Sequence, residues 1–416
     1  MMNKGKRQIL IAVIALVMVI ALILSACAQP SPTPTEKPPI PIGFAASVTG
    51  PAATMGVPMI NAAEDWVHKV NESGGIEGHP VELTWYDDAY DAAKMASNYK
   101  RLRDEGNLLI VCMGSKPASV LRPLADSDGI PIVSIYYAPT NICPPGHLYC
   151  AHACYSDGFG VLANWIMESW EESRPPRIVL HGQDNPIGWS TVQASWALAE
   201  QIGVEVISEE FHELETISEV ASLTRIKGMN PDFLYITSMV QSGAIIIKDA
   251  TRVGLSDVCT IVVNEAASWE QLIELSGTEV AEGVYGQNVV VPWGTDVPGM
   301  KEMLEWNQKY SKQVSSNQYT MTWAAFLGIE EALKQAVRNV GYDSLTPQTV
   351  EEQGIQKVKD FDTGGISGKI DWTDDYDRRG AKVMLMLQIQ DGKWVAVSDW
   401  TDCPVVHYEE YEWFGK

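Results

Sequence analysis

Strand-like and helix-like runs alternate from residue 42 and begin again after residue 154, and this alternation limits the possible folds more than any other feature of the chain. Residues 42–46 read as a strand. Ile60, Ala63, Val67 and Val70 then recur at helical spacing until Gly74-Gly75 stops them. Val81, Leu83 and Trp85 alternate, and Ala92, Ala96, Tyr99 and Leu102 give the next helix. Residues 108–113 are continuously apolar, as in a parallel strand covered on both faces. A helix near 117–127 and a strand at 130–137 complete the first round.

The second round opens with a helix carrying Phe159, Leu162, Ile166 and Met167. Strands are expected at 177–181, 204–211, 233–239 and 259–264, with helices near 299–314 and 320–340. Two alternating runs, 383–390 and 394–399, flank Asp391-Gly392, a strong hairpin signal. Two such rounds imply an α/β protein of two doubly wound parallel-sheet lobes. Ligands bind such sheets beyond the carboxyl ends of the strands, so facing lobes make a cleft.

The chain carries 53 Asp+Glu against 30 Lys+Arg, a net charge of −23. That argues against nucleic acid, which needs a basic face, and against broad docking on anionic lipid. Seven cysteines among 416 residues are too few for a disulfide-built scaffold.

Lys4, Lys6 and Arg7 precede an apolar run over 9–24. This is short of the roughly 20 residues of a membrane span and suits a secretory signal. The run ends in Leu24-Ser25-Ala26-Cys27, which resembles a bacterial lipobox. Residues 1–26 are then the signal peptide and Cys27 is the lipidated new N-terminus. Residues 27–41 hold six prolines and read as an extended tether, about 3 Å per residue. The body is expected outside the cytoplasm, held to the membrane by lipid.

The strings IGFAASVTGPAATMG (42–56), NESGGIEGHPVEL (71–83), YDDAYDAAKM (86–95), IVCMGSKPAS (110–119) and DSDGIPIVS (126–134) resemble the leucine/isoleucine/valine-binding proteins. These are the type I solute receptors of branched-chain amino-acid ABC transporters. Weaker likeness continues through HGQDNPIGW (181–189), NPDFLYITSMVQSGA (230–244) and VVNEAASW (262–269). The resemblance implies two lobes joined by a three-segment hinge that closes on a small ligand and docks on a permease. It places lobe one at 42–153 plus 288–365 and lobe two at 154–287 plus 366–416. The function it implies is capture of an amino acid, or a similar small carboxylate, for an importer. The alternative is a sensor of the same fold for small amides or aromatic acids.

The resemblance also assigns site residues. Ser115, at a strand end and a helix start, matches the hydroxyl that grips the ligand carboxylate. Tyr136 and Ala138 fall where the family has small residues and a threonine whose hydroxyl and backbone touch the head group. Glu265 matches the acid that pairs with the ligand ammonium. Tyrosines expected near 187 and 239 are absent; Trp189 and Met239 stand nearby, and Met55 replaces an aromatic sometimes found there. Those three would shape a remodelled side-chain pocket.

His147, Cys150, His152 and Cys154 lie close in sequence, but outside the cytosol neighbouring cysteines usually oxidise rather than hold a metal. A Cys143–Cys150 disulfide is expected, with Cys154 as the competing partner. No Gly-x-Ser-x-Gly, His-Glu-x-x-His or P-loop motif occurs, and no cofactor is implied. Asp87-Asp88 are adjacent and would point to opposite faces of a strand, so they make no catalytic pair. No enzyme is expected.

Overall fold

The computed structural model describes residues 3–26, 37–153, 155–412 and 414. The chain divides into a unit ending at Pro38 and one running from Pro39 to the C-terminus. In the first, helix α1 (Lys4–Ala26) covers the expected signal peptide. Cys27, residues 28–36 and Cys154 lie outside the described residues.

The second unit opens with β1 (Ile40–Ala46), α2 (Ala53–Glu72), β2 (Val81–Asp87), α3 (Ala92–Asp104), β3 (Ile110–Cys112), α4 (Ser115–Asp128), β4 (Ile132–Ser134), α5 (Pro139–Ile142) and β5 (Leu148–His152). Then come α6 (Ser156–Ser169), β6 (Arg177–Gln183), α7 (Pro186–Ile202), β7 (Glu205–His212), α8 (Val220–Gly228), β8 (Phe233–Thr237), α9 (Val240–Arg252) and β9 (Thr260–Val263). After them run α10 (Glu270–Ser276), α11 (Thr278–Ala281), β10 (Tyr285–Asn288), α12 (Pro298–Lys309), α13 (Asn317–Val340) and α14 (Pro347–Gln353). The chain finishes with β11 (Arg379–Ala381), β12 (Val383–Gln390), β13 (Lys393–Ala396) and β14 (Thr401–Asp402).

Two sheets result. The first has the order β11-β5-β4-β3-β1-β2, and every pairing in it is parallel. The second has the order β13-β12-β10-β9-β8-β6-β7, with β14 beside β12. Its strands from β7 to β10 pair in parallel, and β12 and β13 add an antiparallel edge. Asp391 and Gly392 both adopt positive φ, 51° and 71°, as the two-residue β12–β13 turn requires.

In lobe one, α13 is buried along most of its length and lies against α2. Phe326 packs on Trp66 and on Phe44 of β1, with ring centroids 4.9 and 6.0 Å apart. Parallel strands need helices on both faces, which is why β1, β3 and β4 are apolar in succession rather than alternating.

The sheets correct the expected boundaries in two places. Ile40 and Pro41 belong to β1 rather than to the tether. Pro41 is tolerated there because its oxygen accepts from Leu108 N at 3.0 Å and its missing donor falls ahead of the first β3 residue. The third crossing between lobes lies at 381–383, not at 365, because β11 pairs with β5 of lobe one. The other two crossings follow β5 and β10.

The Cys143–Cys150 disulfide is also corrected. Cys112, Cys143, Cys150, Cys259 and Cys403 are free thiols. The segment from Cys143 runs into β5, and Cys150 sits within that strand, in register with Ser134 of β4 and Arg379 of β11. Cys143 ends α5 and lies 3.9 Å from the Tyr376 hydroxyl. Among the described residues no grouping of three His, Cys, Asp or Glu side chains could hold a metal. His147 Nδ1 faces Glu351 at 2.6 Å, and His152 Nε2 lies 3.0 Å from Met321 O.

Candidate functional site

A cavity of about 240 Å³ opens where the carboxyl ends of the two sheets face each other. Lobe one contributes Met55, Tyr90, Met113, Gly114, Ser115, Lys116 and Tyr136. Lobe two contributes Asn185, Ile187, Leu214, Met239, Ala266 and Trp269, and Tyr155 enters from the first crossing. The volume is just below the usual range for drug-sized ligands and suits a small metabolite.

One end of this cavity is electropositive. β3 stops at Cys112, and α4 begins at Ser115 with Gly114 as its N-cap. Ala118 N closes the first helical hydrogen bond on Gly114 O at 2.8 Å. The amides of Ser115 and Lys116 therefore lie in the first turn, where a helix has no internal acceptors, and they carry its positive end. Pro117, the third residue, contributes no donor. Lys116 is the one charged residue among the described lining. Its Nζ donates to Tyr90 O at 2.8 Å and stands 4.4 Å from the centre of the Tyr90 ring. Carboxylates bind well in such a setting.

Tyr90 is held there by a locked pair of loops. Ala89 and Tyr90 both have positive φ, 50° and 62°. Asp87 Oδ1 accepts from the amides of Val48, Thr49 and Ala89, and Asp88 accepts from Ser47 Oγ and from Tyr90 N. Burial pushes Asp88 above the ordinary carboxylate range. Burial acts on Asp87 in the same sense, but hydrogen bonds led by that from Thr49 outweigh it and leave Asp87 below that range. The two acids thus act on separate loop bonds. A Cβ on Gly56 would stand 2.0 Å from Ser47 O, so glycine lets the first turn of α2, with Met55, approach this loop.

Apart from Asn185, the remaining wall is apolar and aromatic. Tyr136 and Tyr155 lie nearly parallel, 7° between planes and 6.1 Å between centroids. Met239 caps α9, its amide donating to Gln183 Oε1 at 2.9 Å. The Trp269 indole donates to Glu265 O at 3.0 Å.

Ser115, Tyr136, Met239 and Met55 therefore line one cavity. Three other residues do not join them. Trp189 is 46% exposed and its indole donates to Asp184 Oδ1 at 2.8 Å; Ile187 faces the cavity instead. Two residues turn a helix by about 200°, so one of this pair faces inward and the other outward. Ala138 caps α5, and its amide donates to Asn141 Oδ1 at 2.7 Å, which commits the backbone group expected to meet a ligand. Glu265 is 0% exposed, and its Oε1 accepts from Tyr155 N at 2.7 Å. The sequence reading did not single out Tyr90, Met113, Tyr155, Leu214 or Trp269. Their signal is position alone: each lies within a few residues of a strand's carboxyl end, where Leu214 follows β7 and Trp269 follows β9.

The lobes are also tied at the hinge. Arg379 of β11 donates through Nη1 to Asp157 on the first turn of α6, at 2.7 Å, and forks onto Asp377 through Nε and Nη2. Tyr137 also donates to Asp157, and Tyr408, near the C-terminus, donates to Ser156 Oγ at 2.8 Å.

A family profile described as periplasmic binding protein matches residues 39–393. A Leu/Ile/Val-binding protein homolog 7 from Brucella abortus is 20% identical over 373 residues, covering 86% of this chain and 91% of that protein. A branched-chain amino acid ABC transporter protein from Thermus thermophilus, solved with bound valine, superposes with a TM-score of 0.78 at 21% identity, covering 88% of this chain and 97% of its own. A fatty acid ABC transporter substrate-binding protein from Thermomonospora curvata gives 0.76 at 20% identity, covering 90% and 95%. With two parallel-sheet lobes meeting at a cleft and a profile match over nearly the whole body, the chain belongs to the periplasmic binding protein family, among relatives named for binding leucine, isoleucine and valine.

Proposed function

We propose that this protein is the extracytoplasmic substrate-binding component of an ABC importer, anchored by lipid on Cys27, which captures a small carboxylate with an apolar body and hands it unaltered to permease subunits. The observation that carries this reading is the cavity itself: the first-turn amides of α4 and Lys116 at one end, and a wall of methionine, aromatic and aliphatic side chains with Asn185 elsewhere. The valine-bound Thermus thermophilus neighbour and the fatty acid neighbour from Thermomonospora curvata support a carboxylate as the shared feature. Ser115 and Lys116 would hold the carboxylate, and Met55, Met113, Tyr136, Ile187, Met239 and Trp269 would enclose the apolar part. Closure follows because a ligand touching both lobes favours the form in which both are in reach.

The test is a thermal-shift screen of the detergent-solubilised full chain against branched-chain amino acids, fatty acids, aromatic acids and their neutral amides. A carboxylate at 100 times its dissociation constant should add about 2.7 kcal/mol of stability. Amides binding as tightly as their acids would overturn the assignment of the α4 end.

A further inference from the structure

Glu265 stands where a carboxylate would meet a ligand ammonium, yet it lies behind the wall of the cavity rather than in it. It is 0% exposed and is not among the residues that line the cavity. Its Oε1 accepts from Tyr155 N at 2.7 Å. Its main-chain oxygen accepts from the Trp269 indole at 3.0 Å. One residue of lobe two therefore holds two aromatic walls, one through its side chain and one through its backbone.

Tyr155 needs holding. It lies in the first crossing between lobes, and its backbone has φ 31° and ψ −88°. Tyrosine with positive φ is strained by about 1–3 kcal/mol and keeps that conformation only where neighbours impose it. The buried Glu265 side chain supplies a hydrogen bond to that amide. With its backbone fixed, the Tyr155 ring lies parallel to Tyr136 of lobe one, 6.1 Å away. Both rings line the cavity.

With Glu265 committed in this way, the described lining holds one charged side chain, Lys116, and no acid. An ammonium brought into such a cavity would lose its water without gaining an anion, at considerable cost. A carboxylate loses nothing comparable, because the α4 amides and Lys116 await it.

We infer that Glu265 is a positioning residue, which holds Tyr155 so that the Tyr136–Tyr155 wall is formed, and that the cavity takes carboxylates with an apolar or aromatic body and no α-ammonium group. The ligand half of this inference rests on the carboxylate reading above. The Glu265 half stands on its own geometry.

The experiment uses the detergent-solubilised full chain and two matched pairs of probes: 3-phenylpropanoate with phenylalanine, and 4-methylpentanoate with leucine. Each pair differs by the ammonium alone. Calorimetric titration of the wild type should show each acid bound at least about ten-fold tighter than its amino acid. Glu265→Gln keeps an oxygen acceptor for Tyr155 N and should preserve both affinities and their ratio. Glu265→Ala should weaken both members of a pair about equally and reduce the near-ultraviolet circular dichroism of the aromatic wall, and Glu265→Gln should restore that signal. Should the alanine variant fail to fold, the glutamine variant carries the test. Amino acids bound more tightly than their acids by the wild type would overturn the ligand class. A loss of amino-acid affinity in Glu265→Gln, with acid affinity unchanged, would overturn the positioning role. If none of the four probes binds the wild type, the carboxylate reading fails, and the dichroism comparison still decides the role of Glu265.

Discussion

Arg379 and Asp157 form a buried ion pair that joins the two lobes at the hinge, with their side chains only 5% and 2% exposed. Asp377, 7% exposed, shares the same guanidinium. Burial disfavours the charge on Arg379, but the two carboxylates overcome this and hold its pKa well above the ordinary value. Asp377 correspondingly lies below the usual carboxylate range, its own burial outweighed by Arg379.

Replacing Arg379 with methionine leaves Asp157 buried without its cation, while Asp377 keeps only Lys382 Nζ at 3.5 Å. Breaking a buried pair from one side costs about 3–5 kcal/mol, so Arg379→Met should lower the urea midpoint by that equivalent. Asp157→Asn should cost less, since Asp377 still neutralises the guanidinium. Equal losses in the two variants would show that the charges are not shared in this way.

Ser115→Ala removes a hydroxyl that makes no hydrogen bond among the described residues, and Gly114 rather than Ser115 caps α4. Stability should stay within about 0.5 kcal/mol. Affinity for a carboxylate ligand should fall by about 1.5–3 kcal/mol, the worth of a hydrogen bond to a charged group. Paired melting curves and calorimetric titrations separate the two effects.

Acidification should destabilise the protein in two stages. Burial depresses His152 to about 4 and His212 to about 3, the latter with help from neighbouring His181. Both are neutral when folded but take a proton when unfolded below about 6.5, so stability falls as pH drops from 6.5 toward those values. At pH 5 each histidine should contribute up to about 2 kcal/mol of loss. Glu219, also partly buried, is nevertheless lowered to about 2 by bonds from His181, Ser222 and Thr216, and its contribution is lost below about pH 4.5. Asp65, raised by burial, works in the opposite sense. Urea midpoints measured at pH 7 and pH 5 should converge in a His152→Gln, His212→Gln double variant.

Gly56→Ala would drive a methyl group against Ser47 O, where a Cβ has only 2.0 Å. The atom it meets is backbone, so relief requires α2 or the 47–50 loop to move. A destabilisation of about 1–3 kcal/mol is expected, with a loss of ligand affinity because the adjacent Met55 moves out of the cavity. A fully active, equally stable variant would show that the loop yields freely.

Free thiols make a further check. Burial pushes Cys112 up to about 12 and Cys150 and Cys403 well above the ordinary value, so none presents a thiolate at neutral pH. A colorimetric thiol titration should read little in the native protein and at least five thiols in denaturant. Reductant should leave the melting temperature unchanged.

Much of this architecture is written in apolar spacing. Strands buried on both faces appear as solid runs such as 108–113, and the Asp391-Gly392 turn announces the hairpin. Four short strands, β5, β10, β11 and β14, escape that reading because their pattern is set by partners distant in sequence. Residues 379–381 are only Arg-Gly-Ala, and they become a strand because β5 offers them an edge. The site divides in the same manner. Ser115 is legible because a strand end and a helix start fix it together. Trp189 misleads because its inward or outward direction depends on helical phase, and a shift of two residues reverses it. Glu265 carries the right chemistry at the right strand end, but its partner, Tyr155, is 110 residues away and invisible to local pattern.

The placement of β11 sets an order on biogenesis. The sheet begun at Ile40 waits for Arg379–Ala381 before its last edge is covered, while all of β6 to β10 is delivered in between. A polypeptide still emerging on the far side of the membrane therefore carries an open β5 margin until nearly its final residues arrive. Premature termination before residue 379 would leave that margin free to recruit strands from other molecules, making truncated products aggregation-prone rather than merely inactive.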